Sequence, residues 1–135
     1  LVEMGVEPFL VASALDCIVA QRLARRLCNT CRELSPITDL EQSLLASATG
    51  AEDVDEIYRA KGCSSCGFTG YRGRFGLHEV LSLSEATRFH ILERSSTEAM
   101  FKQAKREGMS TIKEDGLRKV AAGLTTFEEI LRVVS

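Results

Sequence analysis

Hydrophobic and polar positions divide the chain into segments of different period. Pro8 suits the first turn of a helix, where its missing N–H costs nothing, and Phe9 to Leu15 is expected to continue that helix. From Cys17 to Leu27 the character changes. Ile18, Ala20, Leu23 and Leu27 mix with Gln21, Arg22, Arg25 and Arg26, and the start reads as a buried strand leaving a core. Thr38-x-x-Glu41 is a capping box, after which Leu40, Leu44 and Leu45 share one face of a helix that Gly50 can end. Ala51 to Glu56 is acidic and expected to be solvated. Leu77 to Leu81 follows a turn cluster and reads as a strand. Beyond it the pattern is helical. Ser82-x-x-Glu85, Ser95-x-x-Glu98, Thr111-x-x-Glu114 and Thr126-x-x-Glu129 all have capping-box spacing. Gly108 and Gly123 suit helix C-termini, while Leu117, Val120 and Leu124, then Phe127, Ile130, Leu131 and Val134, keep helical spacing. Four short helices here predict a small bundle.

Cysteine placement changes this picture most. Cys28-x2-Cys31 and Cys63-x2-Cys66 are two matched hooks. Such a hook sets two thiolates on one side of a tight turn, and two hooks close a four-ligand shell with no open position for water. The pattern predicts a structural Zn²⁺ held by Cys28, Cys31, Cys63 and Cys66, clamping the base of a small subdomain. Two disulfides, which need an oxidising compartment, or four unligated thiols are the alternatives. The fifth cysteine, Cys17, is expected to be a buried small hydrophobe. Glycines recur from Gly67 to Gly76 and read as a structural turn around the metal rather than a nucleotide loop. No Gly-x4-Gly-Lys-Ser/Thr loop is present, and His78 and His90 read as packed or surface histidines.

A length of 135 residues allows one modest core or two small ones. The formal net charge of −2 argues against a dedicated nucleic-acid binder. No apolar run reaches membrane-spanning length and no cleavable signal is evident, which with reduced-looking cysteines points to the cytoplasm. The chain opens without Met, inside a helix-like turn at Leu1 to Gly5, and reads as a piece of a longer protein.

Several runs together resemble the C-terminal part of the secretion ATPases that drive type II secretion and type IV pilus assembly, of the extension-motor type with four cysteines. They are Met4-Gly-Val-Glu-Pro-Phe-Leu; Ala20-Gln-Arg-Leu-Ala-Arg-Arg-Leu-Cys28; Gly62-Cys-x2-Cys-x2-Thr-Gly-Tyr-Arg-Gly-Arg-x-Gly; and Asp115-Gly-Leu-Arg-Lys-Val-x2-Gly-Leu-Thr-Thr-x-Glu-Glu-Ile-Leu-Arg-Val. The resemblance implies an α+β fold: the end of a RecA-like α/β ATPase domain with a tetracysteine zinc-binding insert and a small C-terminal helical bundle. Residues 1–27 and 69–81 would belong to the ATPase core, 28–68 to the zinc subdomain and 82–135 to the helical subdomain. It implies a parent that is a homo-hexameric, Mg²⁺-dependent ATPase on the inner face of the cytoplasmic membrane. That parent would act on an inner-membrane platform protein and a cytoplasmic adaptor, with no nucleic acid involved. ATP and Mg²⁺ would belong to the parent only, because the Walker motifs would lie upstream, and this segment alone would not be catalytic. The insert would be a docking arm or only a stabilising clamp. Gln21, Arg22, Arg25, Arg26, Arg72 and Arg74 would line a subunit interface or the approach to ATP, since arginine forks suit phosphate and carboxylate; the alternative is a solvated basic face with ordinary surface ion pairs. The competing reading is a stand-alone zinc-ribbon-like interaction module.

Overall fold

Side-chain caps decide where most helices begin. In a computed structural model, which describes residues 1–51 and 54–135, Thr38 accepts the Glu41 N–H and Glu41 returns a bond to the Thr38 N–H. Thr111 and Glu114 form the same reciprocal box. The elements run in order: a 3₁₀ turn at Val2–Met4, α1 (Pro8–Ala14), β1 (Cys17–Leu27), β2 (Glu33–Pro36), α2 (Asp39–Thr49), β3 (Glu56–Arg59), a 3₁₀ turn at Ser64–Cys66 and β4 (Tyr71–Ser82). Helices α3 (Glu85–Leu92), α4 (Thr97–Arg106), α5 (Ile112–Ala121) and α6 (Phe127–Val134) complete a mixed α+β chain.

Two predicted caps fall elsewhere. Ser82 stays in β4, and Ser84 caps α3 by accepting from Thr87. Ser96 rather than Ser95 caps α4, because Ser95 is occupied by the Nδ1 of His90 at 3.0 Å. At Thr126 the box is half made: Thr126 accepts the Glu129 N–H, while the Glu129 carboxylate is turned toward arginines.

β1 forms as expected but is not buried. Only Ala24 and Leu27 are covered along its length, and Cys17 is exposed, correcting the expectation of a buried thiol. Leu40 is likewise exposed; the apolar face of α2 is Leu45 with Leu44 beside it. Of the acidic stretch 51–56, Glu52 and Asp53 lie outside the described residues. Asp55 and Glu56 are exposed, but Val54 packs against a core.

β1 pairs with β4 and β2 with β3. The second pair is antiparallel, with Glu33 opposite Arg59 and Pro36 opposite Glu56. The chain divides into two units, each with a core of its own. The first comprises Leu1–Ala20 and Glu79–Ser110, built on Val11, Ala12, Leu83 and Ile91. Within it α1 packs on α3, and Arg88 ties the two by donating to the Ala12 carbonyl and pairing with Asp16. The second comprises Gln21–His78 and Thr111–Ser135, built on Ala24, Leu45, Ile57, Leu77, Leu117, Val120, Phe127 and Ile130. The four C-terminal helices, grouped as one bundle on sequence grounds, therefore divide at Ser110: α3 and α4 lie in the first unit, α5 and α6 in the second.

Candidate metal centre

Hairpin geometry brings the two cysteine hooks together. β1 delivers Cys28, and the chain closes a tight turn in which Cys31 and Arg32 donate to the Cys28 carbonyl at 3.3 and 3.0 Å. β2 then leaves and β3 returns in register, so the chain comes back to Cys63 beside its starting point. The second hook is a 3₁₀ turn whose exit is fixed by the Phe68 N–H on the Cys63 carbonyl, 2.8 Å. A bond from the Cys28 N–H to Gly70 O at 2.9 Å joins the start of the first hook to the chain leaving the second. Gly70 has φ +80°, and a Cβ there would sit 2.7 Å from the Ala60 Cβ, so a side chain at 70 would push against the chain that enters the second hook.

All four Sγ atoms lie within 4.8 Å of one another. Cys28 to Cys63 is 3.9 Å, Cys31 to Cys66 is 3.8 Å and Cys63 to Cys66 is 3.8 Å. Four thiolates around one ion at metal–sulfur bonds of about 2.3 Å form a tetrahedron with edges of about 3.8 Å. A disulfide needs about 2.05 Å, and all five cysteines are free. The donor set and its spacing therefore fit one tetrahedral metal ion. This is the one group of three or more close metal-ligating side chains among the described residues.

Backbone donors prepare the sulfurs for negative charge. The Gly62 N–H points at Cys31 Sγ (3.3 Å), and the Cys63 and Gly70 N–H groups both point at Cys66 Sγ (3.2 Å each). Burial pushes the Cys66 thiol up, but those two amides outweigh it and bring it to about 6. Cys31, with burial dominant and the other sulfurs close by, is pushed up to about 12. Four thiols in so small a volume oppose one another's ionisation, and a cation between them removes that opposition.

The arginines expected at an interface separate into different roles. Arg25 is engaged within the second unit. Its Nε and Nη2 bond the Glu129 carboxylate at 2.9 and 2.7 Å, its backbone N–H bonds the same group at 2.8 Å, and its guanidinium lies 4.2 Å from the centroid of Tyr71. Arg132 grips Glu129 from the other side at 2.6 and 2.9 Å. Burial pushes the Glu129 carboxyl up, yet the Arg132 and Arg25 bonds overcome it and hold it at about 2. Arg26 lies 5.7 Å over the Phe75 ring. Arg22, Arg72 and Arg74 are exposed, and so is Gln21, whose Nε2 faces Gly76 beside the His78 ring. None of these six residues is a ligand of the cysteine cluster.

Sequence reasoning missed the side chains that hold the hooks to the rest of the unit. Arg59 bridges Glu41 on α2 (2.6 and 2.7 Å) and Glu128 on α6 (3.2 Å), and its bond to Glu41 is the main reason that carboxyl is lowered to about 2. Tyr71 shares a 2.8 Å hydrogen bond with Thr126. Arg32 lies 4.2 Å over Tyr58 and donates to Gly123 O at 2.6 Å. The one local signal was an arginine directly after a cysteine hook.

Residues 1–132 match the family described as type II/IV secretion system protein. The chain belongs to this family. Among its relatives, type II secretion system protein E of Pectobacterium carotovorum subsp. carotovorum is 41% identical over 97% of this chain and 25% of its own length. That of Aeromonas hydrophila is 42% identical over 97% of this chain and 26% of its own. The type IV pilus assembly ATPase PilB of Thermus thermophilus is 40% identical over 96% of this chain and 14% of its own. The chain thus spans about a quarter, or less, of the length of these members of the type II/IV secretion system family. Among the described residues no helix is long and apolar enough to cross a membrane.

Proposed function

We propose that the chain is the C-terminal part of a cytoplasmic motor ATPase that powers type II secretion or type IV pilus assembly, and that its four cysteines hold a structural Zn²⁺. The observation that carries the reading is a closed tetracysteine cluster, its four Sγ atoms within 4.8 Å of one another and three of the pairs at 3.8 to 3.9 Å, in a chain matched to a secretion family from residue 1 to residue 132. Zinc suits an all-thiolate tetrahedral set, and four protein ligands leave it no position for water, so its contribution is to folding rather than catalysis. In the parent, ATP with Mg²⁺ would be held elsewhere in a homo-hexamer. The present chain would serve subunit packing and docking on the inner-membrane platform protein and its adaptor, and would not hydrolyse ATP alone. Residues 1–27 and 69–81 would complete a RecA-like core, and 28–68 would form the zinc subdomain. Arg22, Arg72 and Arg74, exposed on β1 and β4, would be the members of the arginine set to meet an acidic group from another subunit or a nucleotide. Arg25 would support them from its seat on Glu129.

The test is Cys63→Ser/Cys66→Ser in the full-length protein, read by metal content and by export or piliation in cells. The expected result is one zinc per chain before substitution, none after it, and loss of export or pili. A variant that kept stoichiometric zinc and full export would overturn the reading.

A further inference from the structure

The first hook is bracketed by two hydrogen bonds to consecutive carbonyls of one turn. Before the hook, the Leu27 N–H donates to Leu124 O at 2.9 Å. After it, Arg32 Nη1 donates to Gly123 O at 2.6 Å. Between these anchors lie only Cys28 to Cys31. The turn so held joins α5 to α6, and the contact is close-fitting. Gly123 has φ +71°, and a Cβ on it would stand 2.6 Å from Tyr58 Cδ2 and 3.2 Å from Arg32 Nη1. The Arg32 guanidinium fills the space between that carbonyl and the Tyr58 ring, where a cation is favoured by the ring face as well as by the hydrogen bond. Tyr58 belongs to β3 and pairs with Leu34, two residues beyond Arg32, so the hairpin that closes the cysteine cluster also supplies the wall of the Arg32 seat. Directly after the turn, Thr125 Oγ1 donates to Arg25 O at 2.9 Å and Thr126 caps α6.

We propose that the cysteine cluster is a metal-dependent latch on the α5–α6 turn. With the four sulfurs joined through one ion, the backbone from Leu27 to Arg32 has a single path, and its two ends meet Gly123 and Leu124 together. Without the ion the hook is free to open, Arg32 leaves its seat, and the start of α6 loses both anchors. The state of the thiols is thereby read at a turn that contains no cysteine. This inference rests on the metal reading above.

Amide hydrogen exchange on the full chain tests it, with zinc content measured in parallel. In the zinc-loaded protein, Arg32→Ala should speed exchange of amides from Gly123 to Glu129 about tenfold while zinc stoichiometry and exchange at the cysteine hooks stay unchanged. Arg32→Lys, which keeps the charge but not the planar fork, should fall between the two. Chelation of the unsubstituted chain should expose the same turn. Zinc bound, but with exchange at the turn unmoved by Arg32→Ala, would overturn the latch and leave the metal reading standing. A chain that bound no zinc would overturn both.

Discussion

At Glu129 a carboxylate with no side-chain exposure is held in the folded chain by three hydrogen bonds from Arg25 and two from Arg132. Breaking a buried pair from one side leaves the other charge without its partner, at a typical cost of about 3–5 kcal/mol. The charges that Glu129→Gln leaves behind are on Arg25 and Arg132, whose side chains are about half exposed, so water takes up part of that cost. Glu129→Gln should still lower unfolding stability, read as a shift in urea midpoint without change of slope. The pH dependence follows from the same bonds. A carboxyl held at about 2 in the native chain, against an ordinary 4.5, favours the folded state wherever it is ionised. Its contribution is complete above the unfolded value and is lost as pH falls from there through about 2. Glu129→Gln should therefore flatten the acid limb between these values. Unchanged acid sensitivity in the variant would contradict this. The cysteines were legible in the sequence because each hook is local, three residues from sulfur to sulfur. Glu129 was legible only as a cap: Arg132 lies three positions on, within helical spacing, but Arg25 lies 104 positions away and no spacing rule reaches that far.

The elements show where local rules hold and where packing overrides them. Thr38 and Thr111 start helices as their spacing predicts, each accepting the N–H of the glutamate three positions on. Ser82 and Ser95 satisfy the same rule on paper. One stays in a strand, the other is taken by His90, and a serine one or two positions on supplies the cap. The exposure of β1 was hidden for a related reason: its alternation identifies a strand but does not say what covers it. In α5, packing opposes propensity. Alanine at an exposed helical glycine would be favourable by about 1 kcal/mol, but Gly116 is buried, and a Cβ there would stand 2.8 Å from two carbons of the fully buried Ile130 on α6. Gly116→Ala should destabilise the chain by about 2 kcal/mol as a result of this overpacking. Adding Ile130→Val, which removes the Cδ1 methyl, should recover part of the loss. A double-mutant cycle with no coupling would show that the α5–α6 contact is not the constraint.

At the scale of the whole molecule, the two cores differ in what holds them. The first unit rests on apolar contacts and the Arg88 tie, and it contains no cysteine hook. The second has the larger core, to which Leu45 and Ile57 from between the cysteine hooks contribute, and a structural zinc would add on the order of 10 kcal/mol to folding of the segment that binds it. Both tyrosines, Tyr58 and Tyr71, lie in the second unit and each is stacked on an arginine, while α1, α3 and α4 supply helix signal from the first. Tyrosine fluorescence therefore reports the second unit alone, whereas far-ultraviolet circular dichroism reports both units, since α2, α5 and α6 also contribute. With zinc bound, the fluorescence transition in urea should be the later of the two. With chelator it should move to much lower urea, while the portion of helix signal from the first unit keeps its midpoint, so that the transitions cross in order. Coincident transitions that shift together on chelation would mean that the chain unfolds as one cooperative body and that the metal stabilises all of it, not the second unit alone.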